Sequence, residues 1–285
     1  MEVSVARIRN ILTRASGYLV PVTSHSAQPY RGCAFGNALC GAGCYVQHNT
    51  YVTRGRAWGA FLEVRENAAA SYLEHVDRER RWARRARDRF GVFLSSSTEP
   101  FMPQERRYRV TEGLLAAMCD SPPDLLIIQT HSHRAADYLD MLRRLHRACD
   151  LRVHLSIETD RDHIPGLPPH ASPIERRFEA ARALSAAGLF VVITVSPLLP
   201  IADPDPFFAR IARCASACVI DHFVGGDGSA GGKRTRKTPL PSAMNAIDPS
   251  SVDLAYRDRM VDIAARHLPG RVGVEAPGFA GRYLR

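Results

Sequence analysis

Three of the chain's seven cysteines, Cys33, Cys40 and Cys44, fall within twelve residues of the segment "PYRGCAFGNALCGAGCYVQHN" (29–49), and His48 follows the third. Thiols this close form a disulfide, ligate zinc or carry an iron–sulfur cluster. Structural zinc takes four nitrogen or sulfur ligands, and Cys33, Cys40, Cys44 and His48 would supply them. A [4Fe–4S] cluster usually takes four thiolates. The next cysteine, Cys119, stands far along the chain in an expected helix, so a cluster here would hang on three thiolates and leave one iron open to a ligand. Gly36, Gly41 and Gly43 would let the loop wrap around it. Cys214 and Cys218, four apart at an expected helix end, read as small buried apolar side chains.

An odd number of cysteines leaves one over in any closed disulfide framework. The opening segment "MEVSVARIRNILTRAS" has no apolar h-region and no small-residue cleavage site. The expected setting is therefore the reducing cytoplasm, where cysteine clusters are metal sites more often than disulfides. No apolar run approaches the roughly 18–20 residues that cross a bilayer, so no membrane partner is expected. At 285 residues, 45% hydrophobic and 24% charged, the composition is that of a globular protein with a sizeable core. The net charge of +9 suits phosphate-bearing partners, and "RERRWARRARDR" (78–89) and "KRTRK" (233–237) concentrate it. Solvated helix and loop faces account for the same runs.

The elements that must position the thiols alternate. Helix is expected over 61–88, 103–120, 134–149, 172–188, 203–215 and near 250–267; strands are expected over 91–97, 124–132, 151–159, 189–200 and 218–226. "SPIERRFEAARALSAAG" is well punctuated, with Ser before the helix, Pro in its first turn and Gly as the stop. About six such βα units, with no Pro/Ser-rich linker between them, predict an α/β fold with a parallel sheet covered by helices, in one domain over 1–285 with a core of about 25–225 and a C-terminal extension, 226–285. Parallel barrels place their sites at the carboxyl ends of the strands. Here those ends read "SSSTEP", "QTHSH", "SIETD" and "VSPLLP".

The sequence resembles the radical SAM enzymes, and within them the spore photoproduct lyase-like branch. The resemblance rests on "PYRGC" with two further cysteines and Tyr45 directly after the third, on "ILT" (11–13), "SSSTEPF", "LSIETD", and "SPIERRFEAARALSAAG" with "VSPLLP" after it, and covers most of 11–225. It implies a partial (β/α)6 barrel. The usual spacing of that family is C-x3-C-x2-C; here it is C-x6-C-x3-C.

The resemblance implies two cofactors, a [4Fe–4S] cluster on Cys33, Cys40 and Cys44, and S-adenosylmethionine (SAM) chelated at the open iron. A reduced cluster then cleaves SAM to a 5′-deoxyadenosyl radical that takes hydrogen from a substrate. It also implies roles for other residues. Thr98 and Glu99, with Ser97 before them, match the motif that contacts the SAM amino group; "STEP" would equally cap a helix. His131 stands where relatives carry a basic residue for the SAM carboxylate. Ser156 and Glu158, alternate residues of one strand, match the ribose-reading position. Arg176 and Arg177 match a basic position that pairs with the carboxylate, and Ser196 and Pro197 bound the adenine pocket. In the lyases a cysteine after the second strand returns a hydrogen atom to the product; Ser97 occupies that place, and its O–H bond is too strong for the task. Tyr45 is the candidate catalytic residue left beside the cluster. Three expectations follow: a radical SAM enzyme acting on nucleic acid or a nucleoside, one acting on a peptide or small metabolite, or a CCCH zinc protein that binds nucleic acid. The first two need an electron donor such as flavodoxin or ferredoxin.

Overall fold

The computed structural model describes residues 1–284. Eleven strands form two sheets: β1 (Glu2–Ala6), β2 (Leu12–Arg14), β3 (His25–Ala27), β4 (Tyr30–Gly32), β5 (Phe61–Arg65), β6 (Gly91–Leu94), β7 (Leu125–Thr130), β8 (Asp150–Ser156), β9 (Phe190–Val195), β10 (Ala217–Ile220) and β11 (Val272–Val274). The larger sheet runs β11-β10-β9-β8-β7-β6-β3-β2. From β3 to β11 every pairing is parallel, and β2 is antiparallel at the edge.

Period-two alternation gives this sheet two different faces. Leu94, Ile128, Leu155, Ile193 and Ile220 face outward into one core with the covering helices, Ala68–Arg87, Val110–Asp120, Leu139–Ala148, Ile174–Ala186, Pro204–Ala212 and Leu254–His267. Phe93, Ile127, Val192 and Val219 face inward, where Phe279 joins them. Burial of both faces explains the continuous apolar runs of the strands. Phe279 lies against Tyr18, Phe93 and His154, with ring centroids 6.1, 6.4 and 5.7 Å apart, and fills the lower end of the interior. Residues 272–274 and Phe279, within the C-terminal extension, thus help to build the sheet and its interior.

Several boundaries differ from expectation. The helix expected over 61–88 begins at Ala68; residues 61–65 are β5, the centre of the small sheet β1-β5-β4. Its strand character comes from pairing with residues 2–6 and 30–32, contacts remote in sequence that override local propensity. The helix expected over 103–120 is two, broken at Arg109 with φ 49°. Buried Glu105 accepts the amides of Thr111 and Glu112 there and the Tyr30 hydroxyl, and so ties the second helix to β4. The strands expected over 151–159, 189–200 and 218–226 leave the ladder at Ser156, Val195 and Ile220. Their remaining residues turn over the end of the sheet.

Candidate active site at the carboxyl ends of the strands

The loop 33–48 folds tightly. A Cβ on Gly41 would stand 2.1 Å from the Phe35 carbonyl oxygen, and one on Gly36 would stand 2.3 Å from the Gly59 Cα. These glycines serve close backbone approach rather than flexibility. The loop is anchored to its surroundings by the Leu39 amide, which donates to the Pro169 carbonyl at 2.9 Å. The Thr98 hydroxyl, donating to the Gly32 carbonyl at 2.6 Å, ties the exit of β6 to the residue before Cys33.

The three thiols are held in a common field. Burial pushes all three up, Cys44 to about 11 and Cys33 and Cys40 well above the usual thiol range. After burial, the charges that act on Cys40 are Cys33, Glu158, Cys44 and Glu99. Against burial, the backbone N–H groups of Phe35 and Glu99 lower the Cys33 pKa, and those of Val46 and Gln47 that of Cys44. Such donors favour thiolate. Among the described residues no three Cys, His, Asp or Glu side chains are set to hold a single metal ion. His48 ends the turn Tyr45–His48, and its Nε2 is buried without a partner.

Glu99 does not cap a helix. Its buried carboxylate accepts from the Phe101 amide at 2.9 Å, the Thr130 hydroxyl at 2.5 Å and the His131 amide at 2.8 Å, so it links the exits of β6 and β7. Burial raises its pKa in spite of these bonds. Ser97 donates its amide to Gln28 at 3.4 Å and sits half-buried in the same loop.

Glu158 is 1% exposed. Burial alone would raise its pKa, but Arg177 and His131 hold it well below the usual carboxylate range. Arg177, also 1% exposed, donates to Glu158 Oε2 at 2.7 Å and to the Ser156 carbonyl at 2.6 Å, and its other terminal nitrogen lies 3.1 Å from His170. Arg177 is thus committed to Glu158, and its neighbour Arg176 is on the surface with Glu179. His131 Nε2 is 3.1 Å from Glu158 Oε1, and that buried oxygen has no other polar partner among the described residues. The Ser156 hydroxyl lies inside the sheet, 2.8 Å from Gln129 and 3.0 Å from Thr194.

Tyr45, half-buried, has its phenol raised by burial and then by Cys44 and Asp221. Both the thiols and the end of β10 are therefore close enough to act on it. Ser196, followed by a cis peptide bond to Pro197, donates to Asp221 Oδ2 at 3.0 Å. Sequence reasoning missed Asp221, Gln129, Ser95 and Tyr18. The inward parity of Gln129 in "LLIIQT" was the available signal for one of them.

The basic runs are split. Residues 78–89 lie by the starts of β6 and β7, at the other end of the strands from the thiols; Arg84 pairs with Asp124 at 2.7 Å, and a cleft of about 240 Å³ there is lined by Arg87, Arg89 and Arg282. The 233–237 run adjoins the site, since Arg234 acts on Tyr45. No helix among the described residues is long and apolar enough to cross a membrane.

No family model matches the chain. Curated relatives include uncharacterised proteins of Mycobacterium bovis and Mycobacterium tuberculosis, 27% identical over 182 residues, which are 62% of this chain and 50% of theirs. The chain spans about half the length of these relatives. Among solved structures, spore photoproduct lyase complexed with dinucleoside spore photoproduct superposes with a TM-score of 0.65 at 15% identity, covering 96% of this chain and 81% of that one. A mutant of the lyase with bound AdoMet and the dinucleoside gives 0.63 at the same identity and coverage. The α/β architecture expected from the alternation is therefore present, and the chain has the partial-barrel fold of spore photoproduct lyase.

Proposed function

We propose that the chain is a radical SAM enzyme that holds a [4Fe–4S] cluster on Cys33, Cys40 and Cys44. The observation that carries this reading is the convergence of three thiols, Cys33 buried and Cys40 and Cys44 half-buried, with Glu99 and Glu158, whose Oε1 has only His131 beside it. The residues fit both groups. Backbone amides already aimed at two of the sulfurs suit thiolate ligands, and Glu158 Oε1 suits a ribose hydroxyl. The bound cofactors supply the chemistry, reductive cleavage of SAM and abstraction of a hydrogen atom from the substrate.

The protein's part is positioning and exclusion of water. Arg177 keeps Glu158 ionised and fixed, so that it accepts hydroxyls without reorganising. Glu99 takes an ammonium group only on what lone pairs its three existing bonds leave. His131 is placed to lend a ring N–H to an anionic group while it lies beside Glu158. The half-buried Tyr45 phenol stays neutral and lies within the field of both Cys44 and Asp221, where a substrate would meet it.

The substrate is not the thymine dimer named for the lyase. Ser97 supports this, because a hydroxyl does not replace the hydrogen-donating thiol there. A peptide, a metabolite, a nucleoside or another site in nucleic acid remains, with a one-electron donor such as flavodoxin or ferredoxin as partner.

The test is anaerobic reconstitution. About four irons per chain are expected, lost in Cys33→Ala, Cys40→Ala and Cys44→Ala and kept in His48→Ala, with SAM converted to 5′-deoxyadenosine and methionine on reduction. A colourless protein with stoichiometric zinc would instead establish the CCCH reading.

A further inference from the structure

The inner face of the sheet changes character along its length. Its lower layer, Phe93, Ile127, Val192 and Val219, is apolar except for the buried imidazole of His154 and is closed by Phe279. Two residues further along, parity places Gln129, Ser156 and Thr194 on the same inner face, and Ser95 and Asp221 follow directly on the last residues of β6 and β10. Five polar side chains thus form a ring above an apolar floor. Buried polar groups are nearly always paired, but this ring leaves several atoms unpaired. Gln129 donates its amide to Ser156 at 2.8 Å and Thr194 at 3.0 Å, which leaves Oε1 buried without a partner. The Ser95 hydroxyl and Asp221 Oδ1 are also buried without a hydrogen bond, and the Tyr18 hydroxyl stands beside Asp221 as the protein's own donor toward that carboxylate.

Asp221 is the group of greatest consequence. It is 4% exposed, and nothing in the described structure gives it a cation. The nearest guanidinium that acts on it, Arg257, is paired with Glu275. Its place is nonetheless fixed. Ser196 donates to Oδ2 at 3.0 Å, and Gly226 packs so closely that a Cβ there would stand 2.4 Å from the same oxygen. A buried carboxylate without a counter-charge costs several kcal/mol, and a held but half-satisfied one is a site awaiting a donor. Two buried acceptors, Gln129 Oε1 on β7 and Asp221 Oδ1 at the exit of β10, stand on strands separated by β8 and β9, and no cationic side chain belongs to the ring to welcome an anion.

We propose that this ring is a substrate-recognition layer that takes an N–H donor group, an amidine or amine if cationic or an imide or amide if neutral, and rejects anionic groups. It rests on the proposed function in one respect, that substrate enters the barrel above Phe279. The substrate's phosphate or carboxylate, if it has one, then stays outside toward Lys233 and Lys237, which are exposed.

The test uses saturation-transfer NMR on the full chain with three probes: acetamidinium, thymine and acetate. Acetamidinium or thymine is expected to bind and acetate not to bind. Asp221→Asn weakens acetamidinium at least tenfold, and Gln129→Leu weakens whichever probe binds. Binding by acetamidinium alone identifies a cationic group, and binding by thymine alone a neutral imide. Acetate binding as tightly, binding by neither N–H probe, or unchanged binding in both variants overturns the proposal. So does displacement of the probes by saturating SAM in the reconstituted protein, which would assign the ring to the cofactor. SAM affinity and 5′-deoxyadenosine formation, measured separately, report on the cofactor reading. Their absence with probe binding retained sinks that reading and leaves this one.

Discussion

At the scale of single residues, Glu158 and Asp221 are two buried carboxylates with opposite fates. Arg177 and His131 outweigh burial at Glu158, whereas at Asp221 burial wins and the pKa rises to about 7. For Glu158 the folded value is depressed, so its stabilisation is present above the unfolded carboxylate pKa and is lost as pH falls through that value toward the folded one. For Asp221 the folded value is raised, so the native state binds the extra proton between the unfolded value and about 7, and stability declines as pH rises through that window. Asp221→Asn is therefore expected to be more stable than the parent at pH 8, by up to about 4 kcal/mol from the pKa difference, and to lose that advantage near pH 4. Urea melts at the two pH values check this, and a variant less stable at pH 8 refutes it. Glu158→Gln is expected to weaken SAM by roughly 1–3 kcal/mol, read by equilibrium binding to the reconstituted protein. Ser97 carries the third expectation: reduced enzyme, SAM and dinucleoside spore photoproduct yield no efficient multiple turnover of thymine monomers by chromatography. Turnover at a lyase-like rate would restore the lesion as substrate.

At the scale of elements, the segment 33–48 is a packed loop whose path is set by backbone contacts. The Gly41 position is the tightest, with the Phe35 oxygen and the Gly36 backbone within 2.4 Å of an added Cβ. Gly41→Ala must move main chain, and is expected to cost about 1–3 kcal/mol and to lower iron incorporation to less than half. At Gly43 the neighbours are the flexible Leu240 side chain at 3.0 Å and beyond, so Gly43→Ala is expected to keep most of its iron. Equal iron in both variants would show that the loop does not need its present path. The ends of β8 and β9 act in a related way: by leaving the ladder at Ser156 and Val195 they free Glu158 and Ser196 to turn over the interior.

At the scale of the molecule, charge and chemistry are separated. The long basic helix Ala68–Arg87 delivers its arginines to the amino ends of the strands, and Arg80 and Arg84 are occupied there with Ser121, Pro122 and Asp124. Replacing Arg84 and Arg87 by Ala is therefore expected to leave the rate of SAM cleavage unchanged, measured as 5′-deoxyadenosine formed per chain. A large drop would mean that this face communicates with the site. Nucleic acid held by this run would lie at the wrong end for chemistry at the thiols, whereas the run at 233–237 lies beside Tyr45.

Some of this was determined by sequence alone. The alternation of apolar runs with amphipathic helices requires a covered parallel sheet, because both faces of such a strand must be buried. Cys33, Cys40 and Cys44 stand out through local spacing, and Ser156 and Glu158 through their place where an apolar strand turns polar, both of which are properties of neighbours in the chain. Tertiary structure decided the rest. β5 is a strand because residues 2–6 and 30–32 come beside it. Arg177 belongs to Glu158 because a helix turns it inward. The polar ring of Ser95, Gln129 and Asp221 exists because β6, β7 and β10, separated by tens of residues, end on the same side of one sheet. Local sequence reports the period of a strand, but which residues share a level across a sheet depends on register, and only the folded chain sets it.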